Sequence, residues 1–185
     1  VNINTGTVDV QAGTVSIKGG GSSTGNFTGA GTITFGGNYT LDAGTVSTSK
    51  VTFSGTGNTL VAGASLSGSA VTVSSARAIT VGGAYNASAT TIAGTATFNS
   101  TDQTGTLALA SGGTLAGTGT LTVTGATTIS GGTMTGAGTT DLRGATTQSG
   151  TVGLTSGRTL INDGAFSQRG TVNLTGGATI LNNAT

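Results

Sequence analysis

Ser111-Gly-Gly-Thr-Leu-Ala-Gly-Thr-Gly119 returns, at a shift of 19, as Ser130-Gly-Gly-Thr-Met-Thr-Gly-Ala-Gly138. Gly150-Thr-Val-Gly-Leu-Thr-Ser-Gly157 returns, at a shift of 20, as Gly170-Thr-Val-Asn-Leu-Thr-Gly-Gly177. A segment this short cannot bury an apolar face alone, so a period of this length means stacked units that cover one another.

Within each unit the apolar residues alternate, as in Val8-Asp9-Val10, Ile33-Thr34-Phe35, Val71-Thr72-Val73, Leu121-Thr122-Val123 and Val172-Asn173-Leu174. A period of two places one face inward and small polar residues outward, the pattern of a half-buried strand. Gly-rich pairs and triplets between the runs mark turns. No window carries a helical stripe, and abundant Thr and Gly oppose helix. Strands of an antiparallel sandwich seldom self-align residue on residue, whereas coils of a solenoid do. The reading is therefore all-β: a right-handed parallel β-helix of about nine coils, each roughly 19–23 residues long. At roughly 4.8 Å per coil the rod is on the order of 45 Å long.

That register predicts columns. Gly105, Gly125, Gly144 and Gly164 align, as do Leu154 with Leu174, Leu160 with Ile180, Ile161 with Leu181 and Asn162 with Asn182. Stacked amides at the last pair can form a hydrogen-bonded ladder. Residues 111–185 follow the period closely and 1–110 more loosely. Ile33–Tyr39 matches Ile79–Tyr85 at a shift of 46, which suggests two coils of about 23, and Leu60–Gly63 matches Thr80–Gly83 at 20. The longer coils would place extra residues in loops, for example at Gly19–Ser23. No linker or composition break divides the chain, so residues 1–185 read as one domain or as part of a longer array.

Composition narrows the function. There are 36 Gly among 185 residues and no Cys, Pro, His or Trp; charged residues make up 6% and the formal net charge is +1. That balance offers no footprint for nucleic acid, and no apolar run approaches the roughly 20 residues of a membrane span. No leader peptide is visible. Zinc has neither Cys nor His to bind, the Gly-Gly-x-Gly-x-Asp repeats of calcium solenoids are missing, and no Gly-rich stretch runs into Gly-Lys-Ser or Gly-Lys-Thr. No catalytic, cofactor-binding or metal-binding residue is assigned, and no cofactor is expected.

Ser111 to Thr120, with the recurring Gly-Ala-Thr-Thr at Gly125 and Gly144, resembles the repeats of filamentous-haemagglutinin-type adhesins and autotransporter passengers. The resemblance covers 111–185 well and 1–110 loosely. It implies a parallel β-helix, export to the cell surface, and adhesion or filament building without catalysis. Its implied partners are neighbouring repeats or copies stacked end to end, and host or surface glycans, with no nucleic acid and no membrane insertion. The terminal coils, Val1-Asn-Ile-Asn4 and Thr179-Ile-Leu-Asn-Asn183, carry little to blunt an open edge, so the chain is expected either to be cut from a longer repeat array or to stack end to end into fibres.

Two alternatives have residues attached. A polysaccharide-active β-helix would use Asp102 and Asp141, which match at a shift of 39 and so stand in phase two coils away, with Thr122 between them. A separation of roughly 9–10 Å would lie near the upper range for an inverting carboxylate pair. Without His or Glu to tune a proton, both read more simply as solvated outward residues. An ice-binding solenoid would use Thr114, Thr133, Thr151 and Thr171, or Thr120, Thr139, Thr159 and Thr179. Its paired array breaks at Ala116, Gly153 and Asn173. Arg143 and Asp163, at a shift of 20, read as a surface ion pair.

Overall fold

The computed structural model describes residues 2–184, so Val1 of the first coil lies outside the described residues. Among the described residues, twenty-five strands and no helix follow in chain order. They form a ten-stranded and a fifteen-stranded sheet in which every pairing is parallel. Each coil but the last contributes one strand to the first sheet and two segments to the second; the last adds Thr179–Asn182 alone to the second. In some coils these two segments are one strand, as in Asn26–Phe35, Gly44–Phe53 and Thr101–Leu109; in others they separate, as in Thr7–Asp9 and Thr14–Ile17 or Thr120–Val123 and Thr127–Ile129. This is a β-solenoid of about nine coils.

The interior consists of stacked rows. Phe35, Phe53, Val73, Ile92, Leu109 and Ile129 succeed one another in register. Leu115, Met134, Leu154 and Leu174 do the same on the other sheet. All but the last are buried, because each is covered by the coil above. Near the first coils Phe27, Phe35, Tyr39 and Phe53 fill the interior, with ring centroids 4.9–6.2 Å apart.

The columns of the regular coils match the expectation. Leu154 pairs with Leu174, Leu160 with Ile180, Ile161 with Leu181, and Asn162 with Asn182. Asn162 Nδ2 donates to Asn182 Oδ1 at 2.7 Å, forming the amide ladder. The glycine column exists because the backbones meet there: Gly125 N donates to Gly105 O at 2.6 Å. A Cβ on Gly144 would overlap the Gly125 carbonyl, and one on Gly164 that of Gly144.

The looser half differs from its expected register. Its coils are shorter than the expected 23: Gly21 pairs with Tyr39 (18 apart), Thr59 with Thr80 (21) and Thr80 with Thr97 (17). The match at 46 is not structural, since Ile33 lies in the fifteen-stranded sheet and Ile79 in the ten-stranded one. Leu60 pairs with Val81, not Thr80. Gly21–Ser23 is not a loop but a strand. Coil length varies because corners absorb or drop residues while each strand keeps its alternation.

Candidate functional site

A slip of one residue reverses which face a strand residue occupies, and this decides the fate of the two aspartates. Asp102 pairs with Leu121 and Leu121 with Thr140, so the step over two coils is 38, not 39. Asp102 therefore stands in an inward row that includes Leu66, Tyr85, Leu121 and Leu160. Asp141 stands in the outward row of Gln103 and Thr122. The two carboxylates face opposite sides of one sheet and form no acid–base pair. Neither is a freely solvated outward residue, with exposures of only 3% for Asp102 and 9% for Asp141.

Arg143 does not pair with Asp163. Its Nε donates to Asp141 Oδ2 at 2.9 Å, while Asp163 Oδ1 accepts from Asn183 Nδ2 at 2.8 Å. Arg143 and Asp141 are neighbours on one strand edge, and Arg143 is mostly exposed, so the pair contributes at most about 1 kcal/mol.

The buried Asp102 carboxylate is held by neighbours. Oδ1 accepts from the Tyr85 amide at 3.2 Å and Oδ2 from Ser100 Oγ at 2.8 Å. Beside it Tyr85 Oη, Thr90 Oγ1 and Thr104 Oγ1 form a chain of bonds of 2.7 and 2.8 Å, which ends on the Thr106 carbonyl at 3.0 Å. Such a network tolerates burial because each member is paired. Burial pushes the Asp102 carboxyl above its ordinary 3.8, against the lowering by its two hydrogen bonds, and pushes the Tyr85 phenol well above 10.

A raised folded-state value means that folding favours the protonated acid. The stability associated with Asp102 is thus complete below pH 3.8 and is lost as pH rises through the higher folded value. Asp102→Asn, which keeps an acceptor for the Tyr85 amide, should be more stable than the parent at neutral pH. Urea unfolding at a series of pH values should show the gap closing in acid; a gap that widens in acid would contradict this.

Arg158 is a second buried charge that sequence reasoning missed. It is fully buried, and its Nη2 and Nε donate to Thr140 Oγ1 at 2.6 and 3.2 Å. No carboxylate pairs with it among the described residues, and desolvation pushes its guanidinium down to about 10.

The outward faces carry hydroxyl rows. Thr101, Thr120, Thr139, Thr159 and Thr179 are in register, which lengthens one expected column. The other holds from Thr114 to Thr133 and then continues through Gly153 and Asn173, not through Thr151 and Thr171. Another row runs Ser16, Thr34, Thr52, Thr72, Thr91, Ala108, Thr128, Thr147 and Ser167. Hydroxyls thus decorate every segment and single out no ice-matching face; outward Thr is what strand geometry favours.

One concavity opens on an outward face over the Asp102 row. Its volume is about 300 Å³, and Ala84, Tyr85, Asn86, Thr101, Asp102, Gln103 and Thr122 line it. Gln103 Nε2 donates to Asn86 Oδ1 at 3.3 Å along its rim. A similar concavity lies at the last coils, lined by Asn162, Phe166, Gln168, Val172, Ile180 and Asn182. Among the described residues no three His, Cys, Asp or Glu side chains are grouped to hold a metal.

The haemagglutinin repeat family model matches four overlapping stretches: residues 3–83, 67–119, 91–149 and 135–185. Together they run from the first coil to the last. The chain belongs to the haemagglutinin repeat family. No curated protein and no solved structure matches it. Haemagglutinin repeats are adhesin-type units, and the four matches extend the resemblance over the loose first half, where coil lengths vary most. An adhesive structural segment fits both the family and the solenoid.

Proposed function

We propose that this chain is an extracellular, non-catalytic segment of a secreted bacterial surface exoprotein, a stiff stalk or filament unit with adhesive duty. The observation that carries the reading is the haemagglutinin repeat match along the whole solenoid. The separation of Asp102 and Asp141 onto opposite faces supports it, because the one carboxylate pair considered for glycan cleavage cannot flank a common bond.

Continuation of the stack, by neighbouring repeats of a longer chain or by a second copy end to end, belongs to the same proposal. At the last coil Leu174 and Ile180 are 46% and 37% exposed, although Leu154 and Leu160 below them in their inward rows are buried. A further coil of the same cross-section would cover them and continue the strand ladders.

The test is retention of fluorescently labelled chain on host epithelial cells and on glycan-coated beads. The reading expects saturable retention of folded chain that heat-unfolded chain lacks. Equal retention of both, or release of reducing sugar from the glycans, would overturn it.

A further inference from the structure

We propose that the concavity between Asn86 and Thr122 is a binding subsite for one neutral pyranose unit of a surface glycan. The inference rests on the adhesive reading and deepens it by naming a place and a ligand class.

The outward hydroxyl pattern breaks there. Ala84 is a bare methyl beside Ser65, and it opens the hollow. Asn86 and Gln103 stand as adjacent amides in a row whose flanking members are Ser67 and Thr122. The Gln103–Asn86 bond at 3.3 Å is long and lies at the surface, so both amides keep donor and acceptor capacity for a ligand. The floor is firm, because Asp102 holds the Tyr85 amide and Ser100 Oγ from the inner side of the sheet. A site fixed before its ligand arrives has less ordering left to do.

The lining matches a sugar by chemistry. Two amides and the hydroxyls of Thr101 and Thr122 offer the mixed donors and acceptors that vicinal hydroxyls need. Other ligand classes fit poorly. No Lys or Arg lines the concavity, and the Asp102 carboxylate lies beneath it, so phosphate, sulfate or an acidic sugar meets no counter-charge. A single carboxylate falls short of the six to eight oxygens that calcium takes. A volume of about 300 Å³ lies at the low end for ligand sites and suits one ring, not a chain enclosed along its length.

The test uses the full, isotope-labelled chain titrated separately with methyl α-D-mannopyranoside, methyl β-D-galactopyranoside and N-acetyl-D-glucosamine. The readout is the amide NMR shifts of residues 84–86, 101–103 and 122 and of the Asn86 and Gln103 side chains. At least one sugar should shift these signals with a dissociation constant on the order of 1–10 mM. Thr122→Tyr, which fills the concavity from the outward face, should weaken that sugar at least about tenfold. Gln103→Ala, which removes one amide without blocking the hollow, should weaken it as well, with signals from the distant coils unchanged.

No response to any of the three sugars at about 50 mM, or a response that survives Thr122→Tyr, would overturn the site. Surface retention with no sugar response would remove this subsite alone. A sugar response without surface retention would remove the adhesive reading and leave the subsite standing.

Discussion

Replacing Phe35 with alanine should destabilise the chain by about 3–5 kcal/mol, the usual cost of emptying a phenylalanine site in a packed core. Phe35 has no exposed surface, and its ring centroid lies 5.5 Å from Phe27, 4.9 Å from Tyr39 and 5.5 Å from Phe53. The neighbours cannot collapse into the gap without shifting backbones that the ladders hold on both sides. The damage should also be local, because coils of a solenoid touch only adjacent coils. Hydrogen exchange should accelerate in Thr14–Ile17, Asn26–Phe35 and Gly44–Phe53, while Thr139–Leu142 and Thr159–Asn162 keep their protection. A loss below about 1 kcal/mol, or acceleration spread evenly over all coils, would contradict the row-by-row core.

The second large effect concerns a residue with no side chain. Gly117 has φ +114°, a conformation that L residues rarely adopt, and a Cβ there would overlap the Phe98 carbonyl and its backbone. That carbonyl also accepts the Gly119 amide at 3.0 Å, so it is not free to move aside. Gly117→Ala should therefore cost about 4 kcal/mol or more, through backbone strain and forced separation of two coils. Gly112 supplies the control, since a Cβ there meets nothing within 4 Å and its φ is not positive. Gly112→Ala should change stability by no more than about 0.5 kcal/mol. Urea midpoints of the two variants measured together test the claim, and similar losses in both would refute it.

The regular coils were legible because their spacing barely varies. With steps of 19 and 20, Leu154 could be placed over Leu174 and Asn162 under Asn182 from identity alone. The early coils resisted because their steps range from 17 to 21, and corners such as Gly29–Thr32 change register inside one strand. A repeat search sees only the sum of such steps, which is how Ile33 came to be matched with Ile79 across two different sheets.

The site was harder to read for another reason. Threonine suits either face of a strand, so nothing marks Thr90, Thr104 and Thr140 as inward and Thr91, Thr106 and Thr139 as outward. The position of Asp102 could have been found by a narrower argument. A shift of 19 carries Asp102-Gln103-Thr104 onto Leu121-Thr122-Val123, so the aspartate inherits the inward place of Leu121. Superposing the two aspartates needs a shift of 39, one residue more than the register of 38, and a slip of one reverses the face. Arg158 left no comparable signal, because arginine at a turn normally reaches solvent.

The stacking itself is best tested by distance. The chain has no cysteine, so paired spin labels can be introduced cleanly. Thr40 and Thr59, Thr59 and Thr80, and Thr80 and Thr97 are successive partners on one outward row of the ten-stranded sheet, and Thr155 lies three coils beyond Thr97. Electron-spin distances from Thr40 should grow by about 4.8 Å per coil, reaching about 14 Å at Thr97 and about 29 Å at Thr155. A distance that rises and then falls along that series would mean that the strands fold back on themselves, and the stacked-coil account would be wrong.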